Sequence, residues 1–481
     1  MSRSAASTKG YLKAALAPAS LCLVLGAVSC AAISFGMSAA NAETMSDALA
    51  RAYANNTTLN QQRAGVRATD ETVPQATAAY RPTVTANGQF GLTHLNERSA
   101  GAINGTASSL NATTDPGLAA LTVTETVFNG NRNYNGVRQA ESNVLGAREN
   151  LRNTEENTLL NGATFYMNVL RDTAILDLNK NNIVVLEEQL RQTRDRFNVG
   201  EVTRTDVAQA ESSLASARSA YFTAQANLAQ SVANYRQVIG VQPKRLQPAR
   251  TIEALLPHTL QQAISVGLSE HPVVVAAMHA ADSAALQVKI AEGALYPTVT
   301  VNGSVERDWN FQGTPGLRVF DGTVYGQVTV PIYTGGATDA QVRQAKESYT
   351  QARIQVDVQR DAVRANIVTS WGLLKAAKAA IASNEAAVKA AEIALEGVRE
   401  EARVGQRTTL DVLNAQQTLL NARVSLVSAQ RDRVVASYVV MAAIGRLEAN
   451  NLHLNVVAYD PTVHFDQVKD KWFGLRTPEG Q

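Results

Sequence analysis

The residues capable of chemistry are scattered through this 481-residue sequence and form no catalytic or metal-binding pattern. No two histidines have the spacing that places metal ligands on one helix face; they occur at positions 94, 258, 271, 279, 453 and 464. The sequence has no nucleophile motif, phosphate-binding loop or dinucleotide fingerprint. Its acidic residues are spread over helical stretches, where they are expected to be solvated. We therefore expect no enzyme activity, no cofactor and no resident metal.

The first forty residues have the composition of a secretory signal peptide. Three basic residues are followed by an apolar stretch, richest from 21 to 28, and by the cleavage site Ala40-Asn41-Ala42. A retained membrane anchor is the alternative, which Pro18 and the many small residues oppose. We expect residues 1–42 to be removed.

Both cysteines lie within that segment, so the mature chain is expected to have no disulfide and no cysteine-based metal site. Cys30 follows small residues and could alternatively be a lipid attachment site. The leucine that usually stands three residues before a lipidated cysteine is missing here, because that position is Ala27.

Charge and hydropathy narrow the class of partner. The sequence has 44 basic and 42 acidic residues, and cleavage would remove three basic ones, leaving 41 against 42. A nearly neutral chain gives no reason to expect a nucleic-acid partner. No run of 18 apolar residues follows the signal, so no spanning helix is expected. A secreted chain without one can still enter a membrane as a β-barrel.

The remaining sequence contains an internal duplication. Residues 80–88 match 295–303 at an offset of 215, as does Asp47-Ala48-Leu49 with Gln262-Ala263-Ile264. Further along the offset is 205, with three matches: 197–200 with 402–405, 205–207 with 410–412, and 239–240 with 444–445. The ten extra residues of the first copy fall in the Gly/Ser/Asn/Thr-rich stretch 101–116, which is predicted to be a loop. A repeat this long is one structural unit used twice.

The units set the predicted domain organisation. A signal peptide at 1–42 is followed by a first repeat at 43–245, a second repeat at 246–446 and a C-terminal tail at 447–481. Each repeat is predicted to contain a helix, two strands joined by a loop, a long helix, a turn and a return helix.

The predicted strands alternate polar and apolar residues. In 83–93 the apolar face carries Val84, Ala86, Phe90 and Leu92, and 298–306 repeats the alternation. Their partners are predicted at 119–128 and 323–332. Alternation over about ten residues is typical of a membrane barrel strand with its apolar side to lipid. A soluble sandwich strand alternates in the same way, so a single strand would not decide between the two.

The predicted helices are unusually long. No proline interrupts 117–242 or 332–460, and 131–197 and 337–403 can each run helical for roughly 100 Å at 1.5 Å per residue. The return helices, 203–239 and 408–444, are about half as long. We expect the pre-strand helices, 45–80 and 260–295, to stack end to end with them.

The return helices carry a coiled-coil pattern, in which apolar positions alternate spacings of three and four. One stripe includes Val207, Ala210, Leu214 and Ala217, and the other includes Val412, Ala415, Leu419 and Ala422. An ordinary helical bundle core would look similar. With aromatic residues at only 5% of the sequence, the pattern favours a thin helical wall.

Four strands per chain cannot close a barrel, because the smallest spanning barrels have about eight. Open strand edges in lipid would leave backbone groups unpaired at several kcal/mol each. Two copies would give an eight-stranded barrel filled by side chains. Three copies would leave a lumen. The predicted fold class is therefore mainly α with membrane β: a trimeric twelve-stranded barrel continued by a helical coiled-coil barrel.

Along nearly all of the mature sequence, the chain resembles the TolC-type family of outer-membrane efflux and secretion channels. The markers are Phe197-Asn198-Val199-Gly200 with Thr205-Asp206-Val207, and Val404-Gly405-Gln406-Arg407-Thr408 with Asp411-Val412-Leu413-Asn414-Ala415. The strand openings Arg81-Pro82 and Tyr296-Pro297 fit as well. The resemblance implies a homotrimer in outer-membrane lipid with a periplasmic helical tunnel. It also implies docking to a periplasmic adaptor and an inner-membrane ABC-type or proton-driven (RND) transporter.

The resemblance also implies a gate at the periplasmic end. By position in the family motif, Arg407 is expected to reach Thr205 and Asp206, the latter through a charge-assisted hydrogen bond. A surface ion pair worth at most about 1 kcal/mol is the alternative. Asp411 is expected to form an acidic ring at the constriction that admits cations and binds multivalent ones.

Two positions depart from the family pattern. A second acid of the ring is here Asn414, and a tyrosine of the closing network is here Ala402. These departures weaken both the expected acidic ring and the closing network.

The turns Val199-Gly200-Glu201 and Val404-Gly405-Gln406 are expected to receive the adaptor's hairpin. Their sequences are also typical of plain helix C-caps with a left-handed glycine.

The competing hypothesis is a structural periplasmic coiled-coil protein without transport activity, which explains the helices but not the paired strands. The lumen wall is expected to be lined by Thr, Asn, Gln and Ser, and such a polar lining does not indicate which molecules are transported.

Overall fold

The computed structural model describes residues 43–99, 108–311, 314, 316–478 and 480. The predicted signal peptide at 1–42 and both cysteines lie outside the described residues. In the first half, the elements are α1 (Met45–Asn55), α2 (Thr57–Asp70), α3 (Thr72–Thr77), β1 (Thr83–Phe90), β2 (Thr93–Ser99), β3 (Ser108–Thr114), β4 (Gly117–Phe128), α4 (Arg132–Asn198) and α5 (Arg204–Ile239). In the second half, they are α6 (Leu260–Glu270), α7 (Pro272–Gly293), β5 (Thr298–Trp309), β6 (Arg318–Thr329), α8 (Ala337–Arg403), α9 (Thr409–Ala443) and α10 (Pro461–Val468).

The two long helices confirm the prediction from proline spacing. Both α4 and α8 have 67 residues, about 100 Å at 1.5 Å per residue. Each packs against its own return helix, α4 with α5 and α8 with α9, and α4 also packs against α7 and α9. The predicted apolar stripe is buried where it was expected, at Ala210, Leu214 and Ala217 on α5.

The pre-strand helices were each predicted to be continuous, and this was wrong. The first breaks at Asn56, whose extended backbone ends α1 and whose side chain caps α2 by accepting a hydrogen bond from Leu59 N at 3.1 Å. The second breaks at His271, which precedes Pro272. A residue before proline is pushed out of the helical region, and His271 accordingly has ψ 125°.

The predicted end-to-end stacking is present in both repeats. At the first break, Asn56 Nδ2 donates to the carbonyl of Val238 near the end of α5, at 3.0 Å. At the second break, Arg446 Nε, just after α9, donates to Glu270 Oε2 at 2.8 Å. The return helix and the pre-strand helix together therefore extend beside one long helix.

The sheet has four antiparallel strands in the order β1-β4-β5-β6. Its register shows the duplication directly. Thr83 pairs with Thr124 in the first repeat, and Thr298 pairs with Thr329 in the second repeat. Thr298 lies 215 positions after Thr83, and Thr329 lies 205 positions after Thr124. Both sequence offsets of the duplication therefore relate one strand pair to the other.

The extra residues of the first repeat form part of an additional hairpin, which the second repeat lacks in the described residues. β2 and β3 pair as a separate two-stranded sheet beyond the point where β1 and β4 end. The stretch 101–116 was predicted to be a loop, but it contains β3, while residues 100–107 lie outside the described residues. The Ser, Asn and Thr residues of β3 were interpreted as loop composition, and cross-strand pairing overrides that weak preference.

The two faces of the main sheet differ in polarity. Residues that pair directly across neighbouring strands lie on the same face, so the pairs show which side chains each face carries. One face is mainly apolar and largely exposed, with pairs such as Val84–Val123 and Leu121–Val305. Its charged residues are Glu125, Arg307 and Arg318. The other face carries mainly hydroxyl, amide and carboxylate side chains, with pairs such as Thr85–Thr122, Ser304–Thr323 and Glu306–Asp321.

The main core lies in the helical region, where α1, α4, α6, α8 and α9 contribute buried residues, including Leu49, Tyr166, Ile367 and Val440. Among the described residues, one helical stretch, Leu260–Gly293, is long and apolar enough to cross a membrane, with a mean hydropathy of 1.3 in its best window. It is broken at His271, and α7 packs along α4 and α8.

Candidate functional site at the helical turns

The two turns that join long and return helices have the same backbone geometry. Gly200 and Gly405 have φ of +80° and +81°, the left-handed region that favours glycine. Behind each glycine, the next residue donates back into the helix, Glu201 N to Arg196 O and Gln406 N to Glu401 O, both at 2.9 Å. These bonds form the Schellman motif that ends a helix.

Each return helix begins with a capping box. Thr203 caps α5, with its backbone N 2.9 Å and its hydroxyl 2.7 Å from Asp206 Oδ2. Thr408 caps α9, with the same groups 3.0 Å and 2.9 Å from Asp411 Oδ2. A helix reversal at two matched positions is thus encoded by a glycine and by the Thr-x-x-Asp pattern that follows it.

The capping bonds also fix the charge of the two carboxylates. Hydrogen bonds from the Thr203 side chain and backbone lower the pKa of Asp206. Hydrogen bonds from the Thr408 backbone and side chain do the same for Asp411, with a smaller contribution from the Arg407 charge. In both cases the cap uses Oδ2, which leaves Oδ1 oriented and ionised for a second interaction.

A short ion pair crosses each turn, with the charges in opposite order. At the first turn, Arg196 on α4 lies 3.0 Å from Glu201 beyond the glycine. At the second turn, Glu401 on α8 lies 2.7 Å from Arg407 beyond the glycine. Arg196 and Glu401 are equivalent positions of the repeat, so the duplication has inverted the charge there.

The structure brings together only part of the predicted gate. Within the described part of the single chain, Arg407 pairs with Glu401, while Asp206 is engaged by Thr203. Thr205 is exposed on the first turn of α5, and Asn414 is exposed one helical turn beyond Asp411. The predicted contact of Arg407 with Thr205 and Asp206 is therefore kept as a proposal for the assembled protein.

Apolar packing holds the two hairpins side by side near their tips. Leu413 of α9 is buried in a cluster with Leu190 of α4 and Leu214 of α5. A second cluster joins Leu395 of α8 to Leu419 of α9. The predicted gate residues of both repeats are therefore carried on one packed unit.

The tips themselves present apolar side chains to solvent. Val199 is 73% exposed and Val404 is 71% exposed, each directly before its glycine. Each valine ends its helix through its backbone N–H, while its side chain is left accessible to a partner.

Sequence reasoning missed two features. The first is the turn-crossing ion pair, although Glu401 lies only six residues before Arg407. The second is a buried acidic cluster at mid-helix: Glu156 is 2% exposed, and Arg152 pairs with Glu448 at 2.7 Å nearby. Burial raises the pKa of Glu156 to about 9, with the Glu448 charge as the next cause. The adjacent pair Glu155-Glu156 in an otherwise mixed helix was the available signal.

No group of three or more His, Cys, Asp or Glu side chains in the described ranges is arranged to hold a metal ion. The turns instead combine oriented carboxylates, exchangeable ion pairs and exposed apolar tips. Such an arrangement can bind a partner and can open or close by exchanging charged contacts.

Comparison with known proteins agrees with this architecture. The model of the outer membrane efflux protein family matches residues 48–241 and 263–446. The chain is 43% identical to the outer membrane efflux protein BepC of Brucella suis biovar 1 (strain 1330), over 92% of this chain and 94% of BepC. It is 27% identical to the outer membrane protein TolC of Escherichia coli (strain K12), over 86% and 85% of the two chains. The crystal structure of the outer membrane protein VceC from Vibrio cholerae has a similar fold, with a TM-score of 0.70 at 22% identity, over 83% of this chain and 96% of that one.

An apolar-faced sheet continued by helical hairpins about 100 Å long defines an outer-membrane channel protein with a periplasmic helical region. The chain belongs to the outer membrane efflux protein family. It is an outer-membrane channel for efflux or secretion.

Proposed function

We propose that three copies of the chain assemble into one continuous duct, with a twelve-stranded barrel in the outer membrane and a helical tunnel in the periplasm. The observation that carries this proposal is the open sheet. β1 and β6 are its two edge strands, and its apolar face is solvent-exposed in the single chain. Unpaired edges in lipid are costly, so β6 of one copy is completed by β1 of the next.

The height of the apolar face supports a membrane location. On β5 its apolar residues run from Val299 to Val305, which is about 20 Å along the strand at ~3.3 Å per residue. Beyond them, Arg307 and Trp309 continue the same face, with the Arg307 guanidinium 5.7 Å from the centre of the Trp309 ring. An aromatic ring beside a cation is typical of the membrane–water interface.

The helical region also presents surface to neighbouring copies. Ile354 and Val358, one helical turn apart on α8, are exposed apolar residues, as is Leu373 further along the same helix. Contiguous apolar residues on a helix of this length are expected to be covered in the assembled protein.

The tips supply gating and docking. Three copies of Asp411 form an acidic ring at the constriction, and Arg407 exchanges between Glu401 and the pair Thr205 and Asp206. The turns Val199-Gly200-Glu201 and Val404-Gly405-Gln406 receive the hairpins of a periplasmic adaptor, whose inner-membrane ABC-type or RND transporter supplies the energy. The duct itself is passive, and cargo choice belongs to the transporter. The division into a signal peptide, two repeats and a tail accompanies this proposal.

Barrel closure is tested by disulfide crosslinking of the otherwise cysteine-free mature chain. Thr85→Cys on β1 is combined in turn with Thr323→Cys, Tyr325→Cys and Gln327→Cys on β6, all on the polar face. Oxidation is expected to give dimer and trimer bands with at least one β6 partner. Thr85→Cys with Ser304→Cys, on the central strand β5, is the matched control that should remain monomeric. Monomer bands from every combination would overturn the assembly.

Docking is tested by pull-down of the trimer with its adaptor. Val404→Glu places a charge on the exposed tip and should abolish capture, while Val358→Glu, on the side of α8, should affect assembly instead. The transport role is tested in cells by gene deletion, with drug and bile-salt sensitivity and the secreted-protein profile as readouts. No change in either readout would favour the structural coiled-coil alternative.

A further inference from the structure

The C-terminal tail follows the outside of the pre-strand helices toward the base of the sheet. At its start, Tyr459 N donates to the hydroxyl of Tyr53 on α1 at 2.9 Å. Further along, His464 Nδ1 lies 3.0 Å from Asp70 Oδ2 at the end of α2. The partners therefore advance along the chain together with the tail, which fixes its direction.

The upper part of the tail reaches the point where the sheet begins. Phe465 of α10 packs against a buried cluster that contains Val73 and Val144. Beyond it, Arg81 Nη1 donates to the carbonyl of Lys471 at 3.0 Å, and the Arg81 guanidinium lies 4.5 Å from the centre of the Trp472 ring. Arg81 stands only two residues before β1.

At that level the tail presents large apolar side chains that remain mostly exposed in the described chain, although the Arg81 guanidinium lies against one side of the Trp472 ring. Trp472 is 69% exposed, Phe473 is 89% exposed and Leu475 is fully exposed. Lys471 Nζ donates to the carbonyl of Arg476, which closes a turn and directs these three residues outward. Three large apolar side chains with this exposure within four residues form an apolar patch that calls for a partner surface.

Cations lie beside these rings. Residues 469–478 contain Lys469, Lys471 and Arg476 against the carboxylate of Asp470, and Asp466 and Glu479 flank the segment. Aromatic residues combined with Lys and Arg are typical of the membrane–water interface, where the rings lie at the level of the headgroups and the cations attract anionic lipid.

The tail and the lipid-facing side of the sheet meet at one level. Tyr80 and Tyr296, exposed residues at the entrance of β1 and β5, mark the aromatic girdle expected at this edge of the apolar band. A lipid surface here is therefore continuous with the one that the sheet requires.

We propose that residues 469–478 form an interfacial anchor on the periplasmic leaflet of the outer membrane. Trp472, Phe473 and Leu475 insert among the acyl chains next to the glycerol backbones, and Lys471 and Arg476 contact lipid phosphates. The anchor fixes the depth of the duct in the membrane from outside the barrel. It rests on the proposed membrane insertion of the sheet.

The chain has three tryptophans, at 309, 371 and 472, which allow a matched test. Three single-tryptophan proteins are made by replacing the other two with phenylalanine, and each is reconstituted as the full trimer in vesicles of phosphatidylcholine and phosphatidylglycerol. The acyl chains carry bromine, a quencher of tryptophan fluorescence, either near the glycerol end or near the methyl end. Trp309 on the apolar face reports the sheet, and Trp371 on α8 reports the periplasmic helical region.

Trp472 fluorescence is expected to fall by roughly half or more with bromine near the glycerol end, and less with bromine near the methyl end, as for other interfacial aromatic residues. Trp309 should also be quenched, and Trp371 should change little. Quenching of Trp309 with none of Trp472 would overturn the anchor and leave the proposed function standing. An unquenched Trp309 would overturn membrane insertion itself.

The cationic part of the proposal has its own control. Lys471→Gln combined with Arg476→Gln should make Trp472 quenching independent of the phosphatidylglycerol content. Lys469→Gln should leave the dependence in place, because Lys469 already pairs with Asp466 at 2.9 Å. Equal behaviour of the two variants would show that the basic residues do not contact lipid.

Discussion

Arg407 Nε lies 2.7 Å from Glu401 Oε2 across the turn between α8 and α9, so the residue expected to close the duct is held within its own hairpin. The equivalent turn of the first repeat has the charges reversed, with Arg196 on the helix and Glu201 beyond the glycine. Both members of the Arg407 pair are exposed, and an exposed pair is easily exchanged. Glu401 is therefore a competitor for Arg407 in any gate that uses Asp206.

Arg407→Gln is expected to make the closed channel leakier, because it removes the cation that links Thr205 and Asp206. Glu401→Gln should have the opposite tendency, since it frees Arg407 for that link. Single-channel conductance in planar bilayers measures both variants against the wild type. Equal conductance changes in the two variants would show that the Arg407–Glu401 ion pair is an ordinary surface contact without a role in gating.

Asp206→Ala is also expected to raise conductance, but it carries a second effect. Asp206 Oδ2 completes the capping box of α5, and loss of such a cap costs about 1 kcal/mol. Thr203→Ala breaks the same cap without removing the carboxylate, so it separates the two effects. A leak in Asp206→Ala that is absent from Thr203→Ala belongs to the gate.

Asp411→Asn is expected to weaken block of the channel by multivalent cations, because three carboxylates leave the constriction. Asn414→Asp should strengthen the block by adding a second acidic ring one helical turn away. Since capping bonds lower the pKa of Asp411 below its usual value near 3.8, block should persist through mildly acidic pH and fade only as the carboxylate is protonated. Titration of the conductance with a trivalent cation measures all three effects, and identical block in wild type and Asp411→Asn would contradict the ring.

Gly405→Ala is expected to destabilise the tip of the second hairpin. A Cβ at Gly405 would meet no atom within 4 Å, but its φ of +81° is strained for alanine, at a cost of roughly 1–2 kcal/mol. Gly397→Ala is the matched control: its Cβ also meets open space, yet the residue lies within α8, where alanine gains about 0.5–1 kcal/mol. Hydrogen exchange of the α8–α9 turn should therefore rise in the first variant and fall in the second.

The fold was largely predictable because its signals are long and repeated. The 337–403 helix was predicted with its observed bounds, since no proline or glycine pair interrupts it and Val404-Gly405 ends it. The breaks at Asn56 and His271 in the pre-strand helices were missed because they depend on single residues. Asn56 and His271 act through a side-chain cap and a following proline, which are local effects that periodicity averages away.

The site was predictable only where backbone chemistry determines it. The glycines at 200 and 405 and the aspartates at 206 and 411 follow from capping patterns that the sequence displays. The pairing of Arg407 with Glu401 was not predicted, because several acids lie within reach of an exposed arginine and only the turn geometry selects one. The burial of Glu156 depends on α4 packing against Leu447 and Glu448 nearly 300 residues away, which no local pattern contains.

Glu156→Gln tests the charge state of that buried position. Burial raises the pKa of Glu156 from 4.5 to about 9, and its Oε1 has no hydrogen-bond partner among the described residues. A carboxyl whose folded pKa is raised binds its proton more tightly in the folded state. The protonated carboxyl therefore makes its full contribution to the free energy of unfolding below pH 4.5, and this contribution is lost progressively as pH rises toward 9.

The wild-type protein is thus expected to lose stability between pH 5 and pH 8, whereas Glu156→Gln should lose less and be more stable at pH 8, by an amount on the order of 1–3 kcal/mol. Arg152, Glu155, Glu448 and His271 surround the position and remain in both proteins. Thermal unfolding followed by circular dichroism at several pH values measures the difference, with the exposed Glu385→Gln on α8 as control. A parallel pH dependence in all three proteins would show that Glu156 is solvated and charged in the assembled duct.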